Sequence, residues 1–228
     1  MIPVTPAPEP GDFDDKVRQP GLSALAECVG KPPTITRPGP KRKQLVHKKK
    51  PVTRIEDIPP NKLPPKWRDA LGDMLEAYDR VCAYACIYID EVTGVGTIDH
   101  WIPKSKDRRQ AYEWSNFRLA CSMMNSRKGI HTNLADPFTI GPDWFEIDFI
   151  SFDIVPGSKL APALVTKVEN TIEEFGLNEY ECRTHRERHA EMYYKGEIEF
   201  SALKRFTPFL ARELRRQDLL RPPSPSWL

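Results

Sequence analysis

Thr97-Ile98-Asp99-His100-Trp101-Ile102-Pro103-Lys104-Ser105-Lys106 is followed by Trp114-Ser115-Asn116-Phe117-Arg118-Leu119-Ala120-Cys121 and then by Met124-Asn125-Ser126-Arg127-Lys128-Gly129, and on these three strings the fold turns. Immediately upstream, Ala85–Ile89 is apolar and β-prone, Asp90–Gly94 carries turn residues, and Val95–Ile98 reads as a returning strand. Residues 100–115 are basic and loop-like. From Ala120 to Lys128 a short helix is expected, with Gly129 placed to end it. Before the hairpin, Trp67, Leu71, Met74, Leu75, Tyr78 and Cys82 share one helical stripe, and Pro64-Pro65 marks its start.

Working outward, Phe145, Ile147 and Phe149 alternate, then Ile150, Phe152 and Ile154 alternate in the opposite phase, which suggests a bulged strand or two short strands. Leu164, Val165, Val168, Ile172 and Phe175 form an amphipathic helix closed by Gly176. Asn178 is placed to cap the next helix, with Glu181 three residues on, and Thr207-Pro208 to begin a last one. The order of elements is α+β. Three segments are expected: a Pro- and Lys-rich N-terminal stretch over 1–60, a central module over 61–135, and a C-terminal strand and helix extension over 136–228. Fourteen of the 23 prolines precede residue 66, and Lys41–Arg54 holds seven Lys or Arg and no acid. With few periodic apolar residues, 1–60 is expected to stay disordered apart from a short helix near Leu22–Val29. The basic run suits DNA phosphates, another acidic partner, or a solvated linker.

The net charge of +2 proves no polyanionic partner. Five cysteines, an odd number, are no disulfide framework in a chain of this length. The residues after Met1 lack the charged and apolar regions of a signal peptide, and no apolar run reaches a membrane span, so a cytoplasmic protein is expected.

Asp99-His100 leaves a strand, Asn116 follows in the loop, and Asn125 lies on a short helix. Asp99 and Asn125 can offer one oxygen each across a small cleft, which suits Mg²⁺ completed by water and substrate phosphate. A histidine beside such an ion can activate water as general base.

From Cys82 to Gly129 the chain resembles the HNH, or ββα-metal, endonuclease family, with Asp99-His100, Asn116 and Asn125 in the motif order. The resemblance implies a ββα-metal core with a leading helix and DNA as substrate. It assigns Mg²⁺ or Mn²⁺ to Asp99 and Asn125, the general base to His100, and a structural role to Asn116 in orienting that base. Cleavage would leave a 5′-phosphate and a 3′-hydroxyl. Lys104, Lys106, Arg108, Arg109, Arg127 and Lys128 are expected to position phosphates. The motif wording is most similar to compact bacterial stand-alone members, some of which serve in phage defence beside a partner ATPase. A non-cutting DNA-binding scaffold and an RNA-directed nuclease remain alternatives.

Many relatives carry a structural zinc on two Cys pairs. Here Cys82 and Cys86 are spaced by three residues, and Met124 stands where the partner of Cys121 would be, so packing as small apolar residues is expected and structural zinc is not. Cys182, His185 and His189 share a helix face without the metalloprotease order, and surface or half-buried placement is expected. Trp114 reads as a core anchor. The charges at Arg183–Arg188 and Arg212–Arg216 suit a DNA or partner contact, or a solvated helix face.

Overall fold

The computed structural model describes residues 1–36, 39–40 and 42–221. Lys41, at the head of the basic run, lies outside the described residues. The fold is α+β, built from helices and small two-stranded sheets. The chain divides into two compact units, one made of Pro6–Arg80 and Val95–Thr132, the other of Met1–Thr5, Val81–Gly94 and the chain from Asn133 onward.

The first unit opens with a π-helical turn, Asp14–Arg18, that runs into α1, Gln19–Cys28. Pro20 explains the turn: it lacks the N–H for a bond to Lys16 and its ring crowds that carbonyl, so the ladder widens and Gln19 N–H reaches Asp14 O. Phe13, Val17, Gly21, Ala24 and Cys28 recur at intervals of four, four, three and four, and all are buried. The expected disorder of 1–60 is therefore corrected. The stripe was hidden because two of its members are Gly and Ala, small enough to let α1 approach its neighbours closely. Phe13 packs edge-on against Trp114 at 5.6 Å and Phe117 at 5.8 Å. Trp114 Nε1 donates to Ala7 O at 2.8 Å. Trp114 is buried, as the core anchor expected of it.

After α1 comes a two-stranded hairpin, β1 (Val46–His47) and β2 (Lys50–Pro51). The helix expected from Pro65 to Cys82 is shorter: a 3-10 turn, Lys66–Ala70, leads into α2, Leu71–Ala77, which ends where Asp79 and Arg80 take positive φ. β3, Gly96–His100, then pairs antiparallel with β4, Phe117–Cys121, with Gly96 opposite Cys121 and His100 opposite Phe117. α3, Ser122–Lys128, follows β4 without a break, and Gly129 ends it at φ 51°.

This pairing corrects the hairpin read from sequence. Residues 85–89 are no partner for β3, for they belong to the second unit. There Cys86 takes φ 54°, its N–H bonds Cys82 O, and only an isolated Val81–Tyr88 bridge forms. Tyr84, Cys86 and Ile89 are buried in that unit's core, with Tyr84 stacked on Phe175 at 4.3 Å. An apolar run can be buried on all sides without being a strand.

In the second unit, β5 (Phe145–Ile147) pairs with β6 (Ile154–Pro156), the two short strands that the phase change allowed. α4, Pro162–Glu174, is closed by Gly176 at φ 57°, with Leu177 N–H bonded to Ile172 O. A glycine in the left-handed region is the usual way to end a helix, since it carries no Cβ to crowd the turn. Asn178 does not cap the next helix. Its amide bonds both the N–H (2.7 Å) and the carbonyl (2.8 Å) of Ile154, extending the edge of β6. α5 spans Tyr180–Lys195, α6 Phe200–Phe206 and α7 Pro208–Arg216, the last opened by its proline. Two charges expected on solvated faces are internal. Arg186 donates to the carbonyls of Phe152 and Leu177, and buried Glu213 holds Arg212, Arg216 and Gln217. Among the described residues no helix is long and apolar enough to cross a membrane.

Candidate active site

β3 ends in Asp99-His100, and a loop of sixteen residues returns the chain to β4, which feeds α3. The end of β3, the loop after it and α3 wall a cleft of about 320 Å³ lined by Pro60, Asp99, His100, Lys104, Asn125 and Ser126 among others. Asp99, His100 and Asn125, far apart in sequence, thus share one cavity. Asn116 does not line it.

Asn116 instead ties the loop. Its Oδ1 accepts the Ile102 N–H at 2.7 Å, and its Nδ2 donates to Ile102 O (3.1 Å) and Gln110 O (2.9 Å). One buried amide so joins the two ends of the loop. Ala111, next after Gln110, places its carbonyl 3.2 Å from His100 Nε2. A carbonyl can only accept, so Nε2 carries the proton and Nδ1 the lone pair. The Trp67 ring meets the imidazole edge-on at 5.1 Å, and Phe117 does so at 5.4 Å. Orientation and tautomer of His100 are both fixed by groups that no motif names.

Burial is the main reason that His100 is a weak base here, with its pKa lowered to about 3; the ammonium of Lys104 and, less, that of Lys128 add to the effect, while the Ala111 bond opposes it. Lys104 Nζ lies 3.2 Å from His100 Nδ1 and 4.8 Å from the centre of the Trp67 ring, and its own pKa is lowered by burial.

Asn125 is oriented by Thr97. The Thr97 hydroxyl donates to Ala120 O at 2.9 Å, so it can only accept from Asn125, which it does from Nδ2 at 3.0 Å. The amide oxygen of Asn125 therefore points away from β3. An Asp carboxylate and an Asn amide oxygen on one cleft, beside a neutral imidazole nitrogen, fit a hard divalent cation that keeps waters and takes a substrate oxygen. Among the described residues no group of three or more His, Cys, Asp or Glu is arranged to hold a metal, so a denser cage is not on offer.

Of the six basic residues expected to meet phosphates, two sit elsewhere. Lys128 has no exposed surface; its ammonium pairs with Asp99 Oδ2 at 3.2 Å and donates to His100 O at 2.8 Å. It follows the buried Met124 by one helical turn, so the inward face of α3 was readable from spacing. Arg108 clasps the loop, donating from Nε to Ile58 O at 2.8 Å and from Nη1 to the carbonyls of Lys104 and Ser105. Nothing in the sequence pointed to that. Lys106 and Arg109 are exposed, the Arg109 guanidinium with a 3.4 Å contact to Glu56, and Arg127 is half-buried.

Cys82 and Cys86 are buried thiols of the second unit, and Cys121 is half-exposed at the end of β4. Cys182 is buried, the half-buried rings of His185 and His189 lie tilted at 4.1 Å, and His189 Nδ1 bonds His185 O at 2.8 Å. The chain matches no protein-family model, and comparison with curated proteins gave no match.

Proposed function

We propose that this chain is an HNH-type endonuclease that hydrolyses DNA phosphodiester bonds with the help of one Mg²⁺ or Mn²⁺. The observation that carries the reading is the tautomer of His100: Nε2–H is committed to Ala111 O, which leaves the Nδ1 lone pair beside Lys104, and His100 and Lys104 line one cleft with Asp99 and Asn125. The strand–loop–strand–helix order around the three side chains supports the same reading.

A divalent cation held by Asp99 and the Asn125 amide oxygen would offset the charge that builds on the scissile phosphate. His100 Nδ1 takes the proton of the attacking water as its oxygen bonds phosphorus. The bond to the 3′-oxygen breaks, and that oxygen takes a proton from solvent, leaving a 5′-phosphate and a 3′-hydroxyl. Lys104 lies against the base, so a phosphodiester entering the cleft can draw its ammonium to a phosphate oxygen. That contact both positions the phosphate and offsets the nearest cation, which relieves the second cause of the weak basicity of the imidazole and leaves burial, the main one. Lys128 pairs with Asp99 and holds it in place.

Nicking of supercoiled plasmid by the purified chain tests the proposal, with Mg²⁺, Mn²⁺ or EDTA and with His100→Ala alongside. Metal-dependent nicking is expected, reduced by about 10²–10⁴-fold in the variant, the usual contribution of a general base. Nicking undiminished in His100→Ala would remove the base assignment. No cutting of DNA by the wild-type chain with either metal would overturn the DNA endonuclease reading, and cutting of RNA alone would move the substrate.

A further inference from the structure

The described part of the Lys41–Arg54 run is an ordered hairpin. β1 and β2 pair Val46 with Pro51 and His47 with Lys50, so Lys48-Lys49 alone make the loop. Both lysines have positive φ, 50° at Lys48 and 64° at Lys49. A two-residue hairpin loop with both residues at positive φ is a type I′ turn. Asn-Gly fills that turn at least cost, because a side chain at Cβ crowds the backbone in the left-handed region. Two lysines there trade local strain for charge at the tip. Lys43, Lys48, Lys49 and Lys50 are exposed, and among the described residues no carboxylate pairs with them.

The hairpin has a firm base. Leu45 N–H bonds Cys28 O at the end of α1 (2.9 Å), Val52 N–H bonds Leu45 O (2.8 Å), and Gln44 Nε2 donates to Val52 O (2.9 Å) over a buried Val52. β2 then leads to Ile58, whose carbonyl takes the Arg108 Nε bond, and to Pro60 on the cleft wall. Pro60 lies ten positions after Lys50. Fully extended they would span at most about 36 Å, roughly one turn of duplex DNA. The 3-10 turn Ile55–Asp57 shortens the path.

We propose that the His47–Lys50 hairpin is a second contact for duplex DNA, its lysines lying on phosphates within one helical turn of the cleft. The identity of the cleft's substrate rests on the endonuclease reading; the hairpin's affinity for duplex does not need catalysis. Contacts of this kind carry no sequence information and act through release of counterions.

The experiment is binding of the full chain to a labelled duplex of about three helical turns, in EDTA, over about 50–200 mM salt. Lys48→Asn with Lys49→Gly removes two charges while giving the turn its preferred residues, so a folding defect cannot account for weaker binding. Its log–log salt slope should be shallower than wild type by about 2, near 0.9 per lost phosphate contact. Lys48→Arg with Lys49→Arg should keep the wild-type slope. An unchanged slope in the Asn-Gly variant, or a loss seen only on single-stranded RNA or anionic vesicles, overturns the proposal. The two readings separate cleanly. A shallower slope in a chain that does not nick plasmid supports the hairpin and removes the nuclease, and an unchanged slope in a chain that nicks does the reverse.

Discussion

Asn116→Asp changes one atom and should loosen the loop that orients His100. The wild-type amide accepts one backbone N–H and donates to two carbonyls, at 4% exposure. Aspartate keeps the acceptor for Ile102 N–H but has no proton for Ile102 O or Gln110 O, and it sets a carboxylate oxygen against them. Two bonds to part-buried carbonyls, at about 1–2 kcal/mol each once the loss of a partner is counted, come to about 2–4 kcal/mol. For a chain of this size that is a fall in Tm of roughly 4–16 °C, at about 2–4 °C per kcal/mol. Urea unfolding gives the free energy, and amide hydrogen exchange over residues 101–116 locates it. The Ala111 carbonyl should move with the loop, so nicking should fall even where the protein is fully folded. Lowering the pH should narrow the gap to wild type at the same pH, since a protonated carboxyl can donate one of the missing bonds. A change under about 0.5 kcal/mol, the noise level of a surface substitution, with loop exchange unaltered, would refute the claim that Asn116 ties the loop.

Further outcomes follow from the same contacts. His100 is held neutral, with a folded pKa near 3 against an ordinary value of 6.5, so it contributes nothing to pH dependence above pH 6.5; below it the unfolded chain binds a proton that the folded chain refuses. Stability should therefore fall on acidification by about 1.4 kcal/mol per pH unit, about 2 kcal/mol by pH 5, and a His100→Gln variant should lack that share. Equal pH slopes for the two in urea titrations would count against it. Lys128→Met leaves the Asp99 carboxylate without its buried cation and should cost about 3–5 kcal/mol, part of it recovered when Asp99→Asn is added. Wild-type stability in the single variant would contradict the pairing at 3.2 Å. Gly21→Ala would set a methyl 2.3 Å from the Tyr112 ring. Overpacking there should cost about 1–3 kcal/mol, and a neutral result by thermal melting would mean that α1 does not pack on the loop.

Much of the second unit was legible in local pattern. α4 is a one-sided apolar stripe stopped by Gly176, α7 begins at Pro208, and the phase reversal near Phe149 marks the turn between β5 and β6. These features depend on neighbours within a few residues, which a sequence displays directly. The order Asp99, His100, Asn116 and Asn125 was equally plain as a motif, although its chemistry remains a proposal.

Tertiary structure decided what depends on residues distant in the chain. The partner of β3 is β4, twenty-odd residues on, because pairing is chosen by which apolar faces can be buried together, and the nearer run at 85–89 is consumed by another core. Arg127 and Lys128 are adjacent and alike in charge, yet only Lys128 is sealed inside, where Asp99 waits for it. Arg108 is drawn from the surface by three carbonyls, one of them fifty residues away. The proton on His100 Nε2 is set by the carbonyl of Ala111, a backbone group common to every residue and therefore invisible to any reading of side chains.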